Sequence, residues 1–209
     1  MKRITLCALL MTLFLLSSCN TSGKNLKDDE VAKSDGTVID LAKITKNITD
    51  TVAFAKSVKE VHSLVKSIDT LANAIGKKIK NDDDGFDTES NKNGSLLAGT
   101  LQLIFAVGTK LEALAKIAGI SDELKGKVTA AKTENTSLIA KLKGGDANLG
   151  KHDATDEHAK EAIDKTNKPN GDKGVAELKK LNTAIDALLK AAEAAVTAAI
   201  NELTTTTKS

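Results

Sequence analysis

Nucleophilic and metal-ligating chemistry in this chain would have to come from two cysteines, Cys7 and Cys19, and three histidines, His62, His152 and His158. His152 and His158 stand six residues apart near Asp153, Asp156 and Glu157, donors of the kind zinc accepts. On a helix an i, i+6 pair points to different faces, and no third ligand is evident, so the spacing does not predict a metal centre. His62 adjoins the apolar Val61, which predicts a residue at the boundary of a core. The run Asp82, Asp83, Asp84, Gly85, Asp87 and Glu89 has the composition of a calcium loop. Setting Gly85 at the invariant glycine of such a loop puts Lys80 at the first ligand position and Asn91 at the last. Both lack the required carboxylate, which predicts a solvated loop. With no Gly-rich phosphate loop and no nucleophile motif, neither enzyme activity nor a resident cofactor is expected.

The cysteines carry a different chemistry. Residues 1–19 read MKRITLCALLMTLFLLSSC: two cations, an apolar run from Ile4 to Leu16, then small residues before Cys19. The apolar run is shorter than the roughly 20 residues a membrane-spanning helix needs, and the whole has the tripartite form of a secretory signal. Leu16-Ser17-Ser18-Cys19 resembles the bacterial lipobox. Small residues let a peptidase reach the bond, while the Cys19 thiol takes a diacylglyceryl group and the freed amine an N-acyl chain such as palmitate. The expectation is a signal peptide at 1–18 that carries Cys7 away, and a mature protein with one lipidated cysteine and no disulfide.

Charge supports the same division. The chain holds 30 Lys+Arg against 28 Asp+Glu, and Lys2 and Arg3, inside the signal, are the whole excess. A neutral mature protein lacks the basic field that nucleic acid attracts, and 2% aromatic content leaves no base-stacking platform or aromatic-walled pocket. Any anion site must be local. Lys77, Lys78 and Lys80 form one cluster and Lys179-Lys180 a second; a solubilising face is the plain reading, and a site for sulfated polysaccharide the functional one. Asp82 to Asp84 partly cancel the first cluster's field.

These residues must be positioned by helices. Residues 20–37 are polar and unpatterned, a tether of about 23 Å as a flexible coil. Apolar residues then recur at Leu41, Ile44, Ile48, Val52, Ala55, Val58, Val61, Val65, Ile68, Leu71, Ile75 and Ile79, a mean spacing of about 3.5 residues. This predicts a first helix of about 40 residues, weakened at Gly76. A second seam runs from Leu97 to Ile117, closed by Gly119. Ser121 is placed to cap a third helix that carries Leu124, Val128, Ala131, Leu138 and Leu142 and stops at Gly144-Gly145. Asn135 falls on that seam, either fixing register or on a rotated, exposed face; exposure is the expectation. A short helix is predicted from Thr155 to about Lys165, and a last one from about Lys173 to Leu203, with Thr204 to Ser209 a frayed tail.

The fold class is therefore all-α: an elongated antiparallel bundle of four long helices plus one short helix over residues 38–203, after a lipidated tether at 19–37. Short connections alternate the helix directions. Both termini then lie at the lipid end, with the loops at residues 80–93 and 144–172 at the far tip. The alanine-rich, aromatic-poor last seam argues against a ligand cavity between the helices.

The lipobox, the tether SGKNLKDDEVAKSDGTVIDL and the strings SVKEVHSLVKSIDTLANAIGKKI, KNGSLLAG, GISDELKGKV and GDKGVAELKKLNTAIDALLKAA resemble the variable small proteins of relapsing-fever Borrelia, relatives of outer surface protein C. The likeness runs from Met1 to about Ala192. It implies a lipid-anchored outer-membrane protein exposed on the cell surface, helical, homodimeric, and exchanged for antigenically distinct versions that evade host antibodies. Some relatives bind host glycosaminoglycans. Residue by residue only Cys19 carries over.

Overall fold

The computed structural model describes residues 30–32, 38–81 and 84–206. The expected signal at 1–18, Cys19, most of the tether and the last three residues lie outside them. The chain divides after Ala42 into two units. In the first, β1 (Glu30–Ala32) pairs antiparallel with β2 (Val38–Asp40), Val31 opposite Ile39. This places a hairpin where the polar composition predicts only a tether; three residue pairs are too few to leave a period in the sequence.

The second unit is an antiparallel helical bundle. Its long members are α1 (Leu41–Leu71), α2 (Gly94–Ala115), α3 (Asp122–Gly144) and α5 (Val175–Thr206), with the short α4 (Asp156–Ile163) between the last two. The four long helices and the short one match the expected set. At 31 and 32 residues, α1 and α5 are each roughly 46–48 Å long. Their opposite directions follow from their contacts: Asn47 meets Glu202, His62 meets Asp186, and Lys66 meets Asn182. The start of α1 thus neighbours the end of α5.

One seam from each helix meets in a common core. Phe54, Val58, Val61, Val65 and Ile68 of α1 pack with Ile104, Val107, Leu111 and Leu114 of α2, Leu124, Val128 and Leu138 of α3, and the Leu178 to Ala192 face of α5. The 4-3-4-3 spacing on α1 is the expected period, and Phe54, seven residues before Val61, stays on it. Phe54 is 1% exposed, whereas Val52, expected on the seam, is 39% exposed. The expected positions Val52, Ala55, Val58 and Val61 advance by three residues at each step, too few for the 3.5-residue repeat, so Val52 rotates off the seam.

Local signals set the helix ends. The Ser121 hydroxyl accepts the Leu124 N–H and the Thr155 hydroxyl the His158 N–H, capping α3 and α4 as their sequences predict. The main correction concerns α1, which ends at Leu71 and not near Ile79. A short 3-10 turn, Ala72–Ala74, leads to Gly76 at φ 69°, and Lys77–Ile79 (β3) then pairs with Phe86–Thr88 (β4). Ile75 and Ile79 prolong the helical spacing only by coincidence, since Ile79 is 78% exposed on the hairpin. At the other end, α5 continues through Thr206, into the segment expected to fray.

Asn135 also differs from expectation. It is buried between α3 and α2, against Gly108, where a Cβ would lie 2.8 Å from its amide nitrogen, and its carbonyl oxygen has no partner. The bare Gly108 backbone lets a polar side chain occupy a seam position that the sequence pattern alone would turn outward.

Candidate functional site

The end of the bundle opposite the Asn47–Glu202 contact gathers the β3–β4 hairpin, the start of α2, the end of α3, α4 and the segments flanking it. A second, smaller core holds them: Ala72, Ile75, Leu97, Leu149, Ala154, Ala159, Ala162 and Ile163. The two loops expected at the tip are therefore brought together.

Asn93 joins them. It is 2% exposed, its amide oxygen accepts the Gly76 N–H at 2.9 Å, and its amide nitrogen donates to Ala154 O at 3.0 Å and Asp156 Oδ1 at 2.8 Å. Asn91, at φ 60°, completes the junction reciprocally: its N–H donates to Asp156 Oδ1 at 2.8 Å and its amide oxygen accepts the Asp156 N–H at 3.0 Å. A Cβ at Gly76 would lie 2.7 Å from the Asp156 carboxylate, so the close approach and the positive φ both require glycine there. Sequence reasoning passed over Asn93 and considered Asn91 only as a missing calcium ligand. An Asn before a helix reads as a cap; Asn93 makes no side-chain cap bond to α2 because its amide is engaged across the junction.

Ion pairs fasten the rest. The Lys173 ammonium lies 2.9 Å from Glu161 and 3.2 Å from Asp146, Lys165 lies 2.8 Å from Asp69, and Lys168 pairs with Glu157. The Asn148 N–H and then Lys173 hold Asp146 below the usual carboxylate range. Burial pushes Asp156 upward, but hydrogen bonds from Asn91 and Asn93 and the nearby Lys160 charge outweigh it and leave its pKa lowered. The Lys168 hydrogen bond and charge lower Glu157, and the same pair raises Lys168. Lys173 is raised by its bonds to Glu161 and Asp146.

Depressed carboxylates stabilise the fold fully above their unfolded values, 3.8 for Asp and 4.5 for Glu, and lose that contribution as pH falls through the lower folded values. Raised lysines act in reverse, lost only as pH climbs from 10.5 through the folded values. Amide exchange should accordingly show residues 144–172 losing protection below about pH 4 while the Val58–Ile68 stretch stays protected. Equal loss in both regions would contradict this account.

The lysine cluster does not lie at a helix end. Lys77 and Lys78 are exposed on β3, where Lys78 stands opposite Asp87 in the ladder and Ile79 opposite Phe86. Strand alternation separates Lys77 and Ile79 on one face from Lys78 and Lys80 on the other. The Lys77 ammonium lies 5.8 Å from the centre of the Phe86 ring. Lys179 donates to Pro169 O at 3.3 Å. His62 sits at the core boundary, Nε2 3.1 Å from Asp186 Oδ1. His152 is exposed, the His158 Nδ1 is buried without a partner, and Asp156 is committed to Asn91 and Asn93. Among the described residues no three His, Cys, Asp or Glu side chains are grouped to hold a metal ion.

A family model described as Lipoprotein matches residues 38–209. Variable small protein 11 of Borrelia hermsii is 52% identical over 211 residues, covering 100% of this chain and 99% of that protein. Outer surface protein C of Borreliella burgdorferi is 47% identical, covering 98% and 95%. The solved structure of Variable Small Protein 1 of Borrelia turicatae superposes with a TM-score of 0.74 at 60% identity, over 78% of this chain and 99% of that one. Full-length identity at this level, with the same helical fold, means that the chain belongs to the Borrelia outer-surface lipoprotein family of the variable small proteins and outer surface protein C.

Proposed function

We propose that the protein is a replaceable surface coat: a non-enzymatic lipoprotein, held to the outer membrane through diacylglyceryl and N-acyl groups on Cys19, that presents a variable tip to host antibodies as a homodimer. The observation that carries this reading is the separation of the bundle's ends. The start of α1 and the end of α5 meet at one end through Asn47 and Glu202, and the loops bound by Asn93 and Asp156 occupy the other. A chain tethered through its N-terminus then holds its loops farthest from the lipid. Relatives named variable small proteins support exchange of that tip. Protease treatment of intact cells is the test: the protein should be clipped without lysis, first at the exposed residues 84–90. Full protection would exclude a surface antigen.

The exposure of Lys77 and Lys78 on a projecting hairpin supports a second reading, an adhesin for host glycosaminoglycans. Replacing Lys77, Lys78 and Lys80 with Ala should then remove salt-sensitive retention on heparin. Unchanged retention would move the site elsewhere.

A further inference from the structure

Between α2 and α3, at the loop-bearing end, the helices part to leave a cleft of about 570 Å³. That is within the roughly 300–1,000 Å³ typical of small-ligand sites. Leu97, Leu149 and Ile163, all under 9% exposed, form its floor, and Ala98, Leu101 and Leu142 its walls. The close packing expected of aliphatic seams fails here because the α3–α4 connection inserts Leu149 between the helix ends.

The mouth is chemically one-sided. Lys143, Lys151 and His152 line it, and neither lysine has an ion-pair partner among the described residues. Lys151 donates only to the neutral amide of Asn148, at 2.8 Å. Asp146 is the one carboxylate in the lining, and it is already engaged: Oδ2 faces Lys173 at 3.2 Å, and Oδ1 accepts the Asn148 backbone and amide N–H groups, each at 2.8 Å. The cleft therefore combines an apolar interior with uncompensated positive charge at its entrance. A polysaccharide would leave the apolar walls wet, and a neutral hydrocarbon would leave the lysines unanswered.

We propose that the cleft binds a free single-chain anionic amphiphile of the fatty-acid class. Its carboxylate lies between Lys143 and Lys151, and its hydrocarbon chain runs inward along Leu101 and Leu142 to Leu97 and Leu149. The site is separate from the β3–β4 lysines and independent of the antigen reading.

The test uses the full chain carrying Cys19→Ser, so that no attached acyl group competes, titrated calorimetrically with laurate and with dodecanol below their aggregation limits. Laurate should bind one saturable site at least about tenfold more tightly than dodecanol, the loss expected for a missing charge-assisted bond. Replacing Lys143 and Lys151 with Ala should remove that preference and leave dodecanol binding unchanged, while Ala98→Phe, at an exposed wall position, should block both ligands. Equal affinity for the two ligands, laurate binding that survives the lysine replacements, or binding retained in Ala98→Phe would each overturn the proposal. Retention on phosphatidylglycerol vesicles that laurate does not compete away would also overturn it, assigning the lysines to a membrane surface.

Discussion

Cys19→Ser is expected to move the protein from the membrane fraction to the soluble fraction and to abolish incorporation of labelled palmitate. Each buried methylene contributes about 0.8 kcal/mol, yet a single acyl chain gives only marginal, reversible binding, and stable retention needs a second signal. On the proposed anchor, acylation of the Cys19 thiol and of the new amine would supply two or three chains at one residue. Net charge would offer no substitute: without residues 1–18 the chain holds 28 lysines against 28 acids, so no net charge would draw it to anionic lipid. The serine variant keeps the small side chain and the hydrogen-bonding capacity while removing the thiol. Cys7→Ser is the matched control. Cys7 lies within the apolar run expected to be discarded, and the change should leave both anchoring and palmitate incorporation intact. Membrane retention of the Cys19→Ser protein would overturn the anchor assignment, and loss of label in Cys7→Ser would overturn the cleavage site.

The second large effect is expected at Asn93. Truncation to Ala deletes three side-chain hydrogen bonds in a site 2% exposed, leaving the buried Gly76 N–H unpaired and removing one of the donors to Asp156, while the Ala154 carbonyl keeps only the Asn93 backbone N–H at 3.2 Å. At about 1–3 kcal/mol for the one buried group left unsatisfied and about 0.5–1.5 kcal/mol for each of the other two bonds, the loss should total roughly 2–6 kcal/mol. It should also be regional. The main core draws on α1, α2, α3 and α5 and does not include the junction, so urea unfolding followed at the helices should shift less than limited proteolysis at residues 80–93. Asn93→Asp provides a sharper contrast. Its carboxylate still accepts the Gly76 N–H but faces the Asp156 carboxylate in place of a donor, so it should destabilise at pH 7 and recover partly as the pH falls toward 4. A change below about 0.5 kcal/mol for Asn93→Ala would put the residue among ordinary surface positions and remove the junction from this account.

The junction also shows where reading from sequence stops. Asn91 and Asn93 lie 65 and 63 residues from Asp156. Each was legible as a loop residue, a failed calcium ligand or a helix-flanking polar group, because those are the roles that neighbours in sequence define. Their shared task depends on a hairpin and a short helix meeting at one end of the bundle, and no spacing encodes that meeting. Asn135 fails for the same reason: its burial depends on Gly108 of another helix. The three lysines fail differently. Ile75 and Ile79 continue a helical period by chance, and the chain instead turns at Gly76 and sorts Lys77 and Lys78 to opposite faces of a ladder.

What the amino-acid sequence determined by itself was whatever short-range physics controls. The expected signal and lipobox are linear strings, of a kind that processing enzymes read as an extended chain. The long helices follow from a 3.5-residue apolar period, and the starts of α3 and α4 from Ser121 and Thr155, whose hydroxyls each accept the N–H three residues on. The reversal between α2 and α3 follows from the short connection from Lys116 to Ser121, which leaves no room for a parallel return. Tertiary structure alone decided which polar groups are paired, which lysines face water without a counter-ion, and where two helices part enough to leave a cleft. Those properties depend on distances between atoms far apart in the chain. A hydrogen bond or an ion pair is sensitive to a fraction of an ångström, whereas a hydrophobic seam tolerates rotation by roughly tens of degrees before it turns away from the core.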